Sequence, residues 1–144
     1  MSKKALITGI TGQDAGHLAK LLHEKGYEVY ATIRGQMEAS HPRYQSVKAE
    51  FPYVNLVLAD NLDLSALTAA MNQIKPDEVY NLAAQSHVRV SFDGPEYTTD
   101  ITATGTIRLL EAIRETVAIY RIRKRLMHPH QLKALRNAHK LLVL

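Results

Sequence analysis

Four short apolar runs punctuate the first two-thirds of the chain: Ala5-Leu6-Ile7-Thr8, the alternating Glu28–Ile33, Asn55–Ala59, and Glu78–Leu82. Each has the length and the aliphatic or β-branched content of a buried strand, which predicts strands near 4–8, 28–33, 55–59 and 78–82. Between them the spacing changes to that of helices. Leu18, Ala19, Leu21 and Leu22 fall on one side of a helix whose other side carries Lys20, His23 and Glu24, with Gly26 as its C′ residue. A short helix is expected around Tyr44–Glu50. Another is expected from Ala66 to Ile74, with Ser65 as N-cap and Lys75-Pro76-Asp77 as its stop. A long helix is predicted from Pro95 to about Glu115. Gly105 lies inside it at a cost of ~1 kcal/mol relative to Ala, which marks a point of close packing. Strands alternating with helices at these intervals predict an α/β fold, a doubly wound parallel sheet covered on both faces.

The first of these transitions carries chemistry. Glycines at Gly9 and Gly12, with the small Ala15 three positions on, join a buried strand to a helix start. Gly9 suits the tight turn, Gly12 lets backbone approach a pyrophosphate, and a small third residue lets helix and strand pack. The N–H groups and dipole at the helix start favour an anion. An ordinary strand-to-helix connection punctuated by glycine is the competing reading of the spacing alone. Together with the strand pattern, the motif predicts a Rossmann-like nucleotide-binding fold.

In such folds the loops at the carboxyl ends of the strands share one crevice. The loops after Thr8, Ile33, Ala59 and Leu82 are therefore expected to meet. At the end of the second strand an NAD reader places an acid and an NADP reader an arginine. Here Arg34 stands first, with no acid before Glu38, which favours NADP; a solvated loop cation is the alternative. After the fourth strand, Ala83 and Ala84 leave room for a flat ring or sugar, and Gln85, Ser86 and His87 offer hydrogen bonds. His87 also reads as a structural histidine. Arg89 is placed to meet a phosphate or to pair with Asp93 or Glu96.

Composition changes this picture little. With 144 residues, 46% of them apolar, the chain can build one core. Having no cysteine, it has no thiolate metal site, and its scattered histidines form no zinc helix. No metal is expected. Neither a membrane-spanning run nor a signal-peptide pattern is present, so a cytoplasmic protein with no membrane partner is expected. Charge is more informative. Residues 1–116 hold 11 Lys/Arg against 14 Asp/Glu, whereas 117–144 hold seven Lys/Arg and no acid, so the net +4 belongs to the tail. An arm for nucleic acid or an anionic membrane is one meaning of such a tail, and HQLKALRNAHKLLVL has amphipathic helical spacing. Without a recognition motif, nucleic acid is an unlikely partner.

Three stretches then converge: TGITGQD at 8–14, PDEVYNLAAQSHVRVSF at 76–92 and PEYTTDITATGTIRLLEAIRE at 95–115. Over residues 3–115 the chain resembles the GDP-mannose 4,6-dehydratases, members of the extended short-chain dehydrogenase/reductase superfamily. The resemblance implies a lyase that converts GDP-mannose to GDP-4-dehydro-6-deoxy-mannose. It does so with bound NADP, by oxidation at C4, loss of water across C5–C6 and regeneration of the cofactor. It also implies cofactor-binding roles for Gly9, Ile10, Thr11, Gly12, Gln13 and Asp14 at the pyrophosphate and for Arg34 at the 2′-phosphate. Asp60 and Asn61 would lie by the adenine, and Leu82, Ala83, Ala84, Gln85 and Ser86 along the ribose and nicotinamide, with Tyr97 closing that side.

The chain departs from the family in four respects. Ala15 replaces a glycine, and Asn61 a leucine. Gly35 stands where many members have a second arginine, followed by a longer insert that contributes to tetramer contacts and cofactor sharing; a homo-oligomer is what the full-length family implies. The family's Tyr-x-x-x-Lys and its Thr/Glu strand end are not found, since Tyr120 and Lys124 have the spacing in an unrelated context. No catalytic residue is therefore assigned. The expected organisation is a partial NADP-binding domain over 1–116 and an unrelated or frame-shifted basic tail over 117–144. The Met127–His128 codons, read two bases on, spell Ala followed by codons that permit Ser-Thr-Ser, as the family carries there. A catalytically dead NADP-binding module is the alternative function.

Overall fold

The computed structural model describes residues 2–34, 40–120 and 126–127, with side chains as far as Thr116. The strands are β1 Lys4–Thr8, β2 Glu28–Ile33, β3 Asn55–Leu58, β4 Glu78–Asn81 and β5 Leu126–Met127. They form one parallel sheet in the order β3-β2-β1-β4-β5. The chain moves outward from β1 to β3 and then returns to the other side of β1, so the order reverses between β1 and β4. That is where an open α/β sheet leaves a crevice.

Side chains alternate across β1. Ala5 and Ile7 join Leu18, Ala19 and Leu22 of helix α1 (Gln13–Glu24) and Val47 of α2 (Pro42–Glu50) in one buried layer. Leu6 faces the other way, into Leu67, Met71 and Ile74 of α3 (Leu64–Ile74) and Leu109 and Ala112 of α6 (Gly105–Tyr120). Apolar runs buried on both faces are what a parallel interior strand requires.

The helix ends follow their local chemistry. α1 stops in a Schellman motif: Gly26, at φ +78°, donates its N–H to His23 O, and Tyr27 N–H reaches Leu22 O at 3.0 Å. α2 starts two residues earlier than its pattern predicts, because Pro42 suits the first helical position and His41 Nδ1 accepts the Arg43 N–H at 3.1 Å. The N-cap of α3 is Asp63, whose Oδ1 accepts from Ala66 N–H at 3.1 Å; the expected Ser65 lies inside the helix.

The predicted long helix runs without interruption over residues 95–120 but carries a π-turn. It comprises α5 (Pro95–Thr99), a π-turn over Asp100–Thr104, and α6. Before it, Val88–Asp93 forms α4, a short helix with no buried residue and Phe92 81% exposed. Arg89 pairs there with Asp93 at 3.7 Å. The expected boundary at 116 falls within α6, and Leu126–Met127 continue the sheet beside β4. Residues 121–125 and 128–144, including all of the predicted amphipathic stretch and most of the frame-shifted reading, lie outside the described residues. No helix among the described residues is long and apolar enough to cross a membrane.

Candidate functional site: a nucleotide crevice at the strand ends

The first residue past β1 decides the shape of the crevice floor. Gly9 has φ +76°, and a Cβ there would lie 2.8–2.9 Å from the Leu82–Ala83 backbone. Both the dihedral and the space exclude a side chain. The adjoining Thr8 is fully buried and ties the two loops together. Its hydroxyl donates to Asn81 Oδ1 at 2.6 Å and accepts the N–H groups of Leu82 and Ala83, each at 3.2 Å. This is why β4 ends at Asn81, one residue before the predicted end: the next two amides turn onto Thr8.

The turn then tightens, with Gly12 N–H donating to Gly9 O at 3.0 Å. A Cβ on Gly12 would lie 3.3 Å from that same oxygen. Gly12 is the N-cap of α1 and supplies no side-chain acceptor, so the first-turn amides keep their affinity for an anion. Ala15 is buried, as a close helix–strand contact requires.

A buried polar network supports the floor from below. Asn81 Nδ2 donates to Thr106 Oγ1 at 3.0 Å, and Asn61 Nδ2 approaches Asn81 Oδ1 at 3.4 Å. Asn61 is thereby accommodated at 4% exposure. It also abuts Gly105, where a Cβ would lie 3.2 Å from Asn61 Cβ. That contact is the close packing predicted at Gly105. On the far wall Thr102, in the π-turn, accepts the Gln85 N–H at 3.2 Å, and Gln85 Oε1 accepts from His87 N–H at 3.0 Å.

Around this floor lies a cavity of about 450 Å³. Its lining includes Gly9, Ile10, Thr11 and Gly12 from the first loop, Arg34 from the second, Asp60 and Asn61 from the third, and Leu82–Ser86 from the fourth. Twelve of the fifteen expected cofactor residues are thus brought together. The other three are not: Gln13 borders a second hollow between α1 and α2, and Asp14 and Tyr97 border neither. Sequence reasoning missed Thr32, Ile33, Arg43, Ala59 and Ile101. Thr32, Ile33 and Ala59 were recoverable as the last positions of predicted strands. Ile101 was not, because its direction depends on the π-turn.

The groups with displaced proton affinity lie elsewhere. Tyr30 is pushed up to about 12, first by its hydrogen bond to Glu28 and then by burial. Tyr27 is raised by burial and by Glu78, and Tyr53 by burial beside Glu24 and Glu50. None of the three borders the crevice. No cluster of metal-ligating side chains is found among the described residues.

Comparison with known proteins follows the same outline. The sequence model of the family described as GDP-mannose 4,6 dehydratase matches residues 6–128. The chain is 51% identical over 119 residues to GDP-mannose 4,6-dehydratase of Vibrio cholerae, covering 79% of this chain and 32% of that protein. It is 50% identical over 117 residues to GDP-mannose 4,6 dehydratase 1 of Arabidopsis thaliana, covering 78% and 32%. Among solved structures, UDP-glucose 4-epimerase from Brucella ovis in complex with NAD superposes with a TM-score of 0.66. The two are 26% identical, with 80% of this chain and 33% of that one covered. The chain thus spans about a third of the length of the curated relatives it matches.

Proposed function

The chain belongs to the GDP-mannose 4,6-dehydratase family, and from that premise we propose that its crevice is the NADP site of a GDP-mannose 4,6-dehydratase. The observation that carries this reading is the floor at Gly9 and Gly12, a cradle of bare backbone lining the crevice: a Cβ on Gly9 would strike the Leu82–Ala83 backbone, and one on Gly12 would crowd Gly9 O. Such a cradle fits a pyrophosphate, with the α1 amides behind it. Arg34 stands at the end of β2, where an NAD reader would carry an acid, and would take the 2′-phosphate. Asp60 would face the adenine, and the Leu82–Ser86 loop would hold the ribose and nicotinamide. When bound, NADP supplies reversible hydride acceptance.

The chain's own residues bind and orient. Thr8 fixes the Leu82–Ala83 amides against Gly9, and Thr102 fixes Gln85. Proton transfer is a different matter. General acid–base steps contribute typically ~10²–10⁴ in rate, and residues 1–144 contain no Tyr-x-x-x-Lys in the family's setting. We therefore assign these residues cofactor binding and leave the proton-transfer groups unassigned.

Titration with NADPH and NADH, followed by nicotinamide fluorescence, tests the reading. NADPH is expected to bind more tightly, and Arg34→Ala to narrow the gap by about tenfold, the worth of a charge-assisted contact. Equal affinity for both in the unmutated chain would count against the NADP assignment.

A further inference from the structure

We propose that Arg43, on α2, is a second specificity-determining cation for the 2′-phosphate and works together with Arg34. The inference rests on the NADP reading above and deepens it.

The argument starts from how the arginines are used. Five are described. Arg89 pairs with Asp93, Arg108 with Asp100 at 2.8 Å, and Arg114 with Glu111. Arg34 and Arg43 make no ion pair among the described residues, and these two alone of the five line the crevice. Two guanidinium groups without an ion pair beside one cavity give it a positive field that favours an anion there.

Among the described residues that line the crevice the only carboxylate is Asp60, and its Oδ1 already accepts the Leu62 N–H at 3.1 Å; Glu50 lines the second hollow. The backbone under Arg43 is fixed: His41 accepts its N–H, and Ser46 Oγ donates to Pro42 O at 3.0 Å. The start of α2 is thus capped internally, so its contribution to an anion comes from the guanidinium. Arg43 also borders the second hollow, of about 680 Å³, that opens between α1 and α2. It therefore stands between the crevice and that second hollow.

Calorimetric titration of the 144-residue chain with 2′,5′-ADP and with 5′-AMP isolates the 2′-phosphate. Arg43→Ala is expected to weaken 2′,5′-ADP about tenfold while moving 5′-AMP by less than about twofold. Arg43→Lys should recover part of the loss, since a lysine keeps the charge without the fork. Arg89→Ala, which removes a cation outside the crevice, should leave both ligands unchanged. Unchanged discrimination in Arg43→Ala, with discrimination lost in Arg34→Ala, overturns the role of Arg43 and leaves the NADP reading intact. Equal losses for Arg43→Ala and Arg89→Ala likewise overturn it, as an effect of general charge. No preference for 2′,5′-ADP in the unmutated chain overturns both.

Discussion

Gly9 and Gly26 share a backbone conformation, at φ +76° and +78°, but not an environment. A Cβ on Gly26 meets nothing within 4 Å, whereas one on Gly9 strikes the Leu82–Ala83 backbone. The two positions therefore separate strain from collision. Gly26→Ala is expected to cost only the left-handed penalty of about 1–2 kcal/mol. Gly9→Ala must pay that and also push two loops apart, so it should lower Tm by clearly more and abolish nucleotide binding. Thermal melts of both variants check this, and similar Tm losses would refute it. Both glycines were legible in the sequence, because a turn after an apolar run leaves few other choices. The partners of Gly9 were not, since nothing near residue 9 indicates that residue 83 will press on it.

At the scale of elements, legibility tracked local burial pattern. β1, β2, β4, α1 and α3 were readable because their apolar spacing matches the face each buries; β3, expected to be buried, is the edge strand with no residue fully buried and Leu58 52% exposed, and α2, bounded by turn residues, buries only Val47. α4 was not, because none of its residues is buried and no stripe marks it. The π-turn was also hidden: Gly105 marked a close contact but not its partner Asn61, and nothing in the sequence marked the turn of Ile101 into the crevice. Gly16 was overlooked for a similar reason. It lies inside α1, where alanine would ordinarily stabilise by about 1 kcal/mol. A Cβ there, however, would fall 2.7 Å from Phe51 Cζ, so α1 sits close to the segment after α2 only because Gly16 is bare. Gly16→Ala should destabilise the native chain and become neutral or stabilising in a Phe51→Leu background. Denaturant unfolding of the double-mutant cycle checks the sign, and a stabilising Gly16→Ala in the native background would refute it.

For the molecule as a whole, the tyrosines at the amino end of the sheet set an alkaline limit. Tyr30 holds its proton up to about 12 through Glu28, and Tyr27 is likewise raised beside Glu78. A tyrosine bound more tightly to its proton in the folded chain stabilises fully below about pH 10, its unfolded value, and loses that contribution as pH rises through about 12. Tyr30→Phe should therefore flatten the fall in stability between pH 10 and 12, read from melts across that range; an unchanged slope would refute the assignment. The opposite end of the sheet carries a consequence of another kind. The Thr8 hydroxyl meets amides 74 and 75 residues further along the chain. The first half of the chain carries the glycine turn and three of the four loops, but the crevice is complete only when that long loop closes. A nucleotide cannot guide a search whose end product is its own binding site. It acts afterwards, as a latch on the finished fold, slowing escape from the native state and leaving the speed of arrival unchanged.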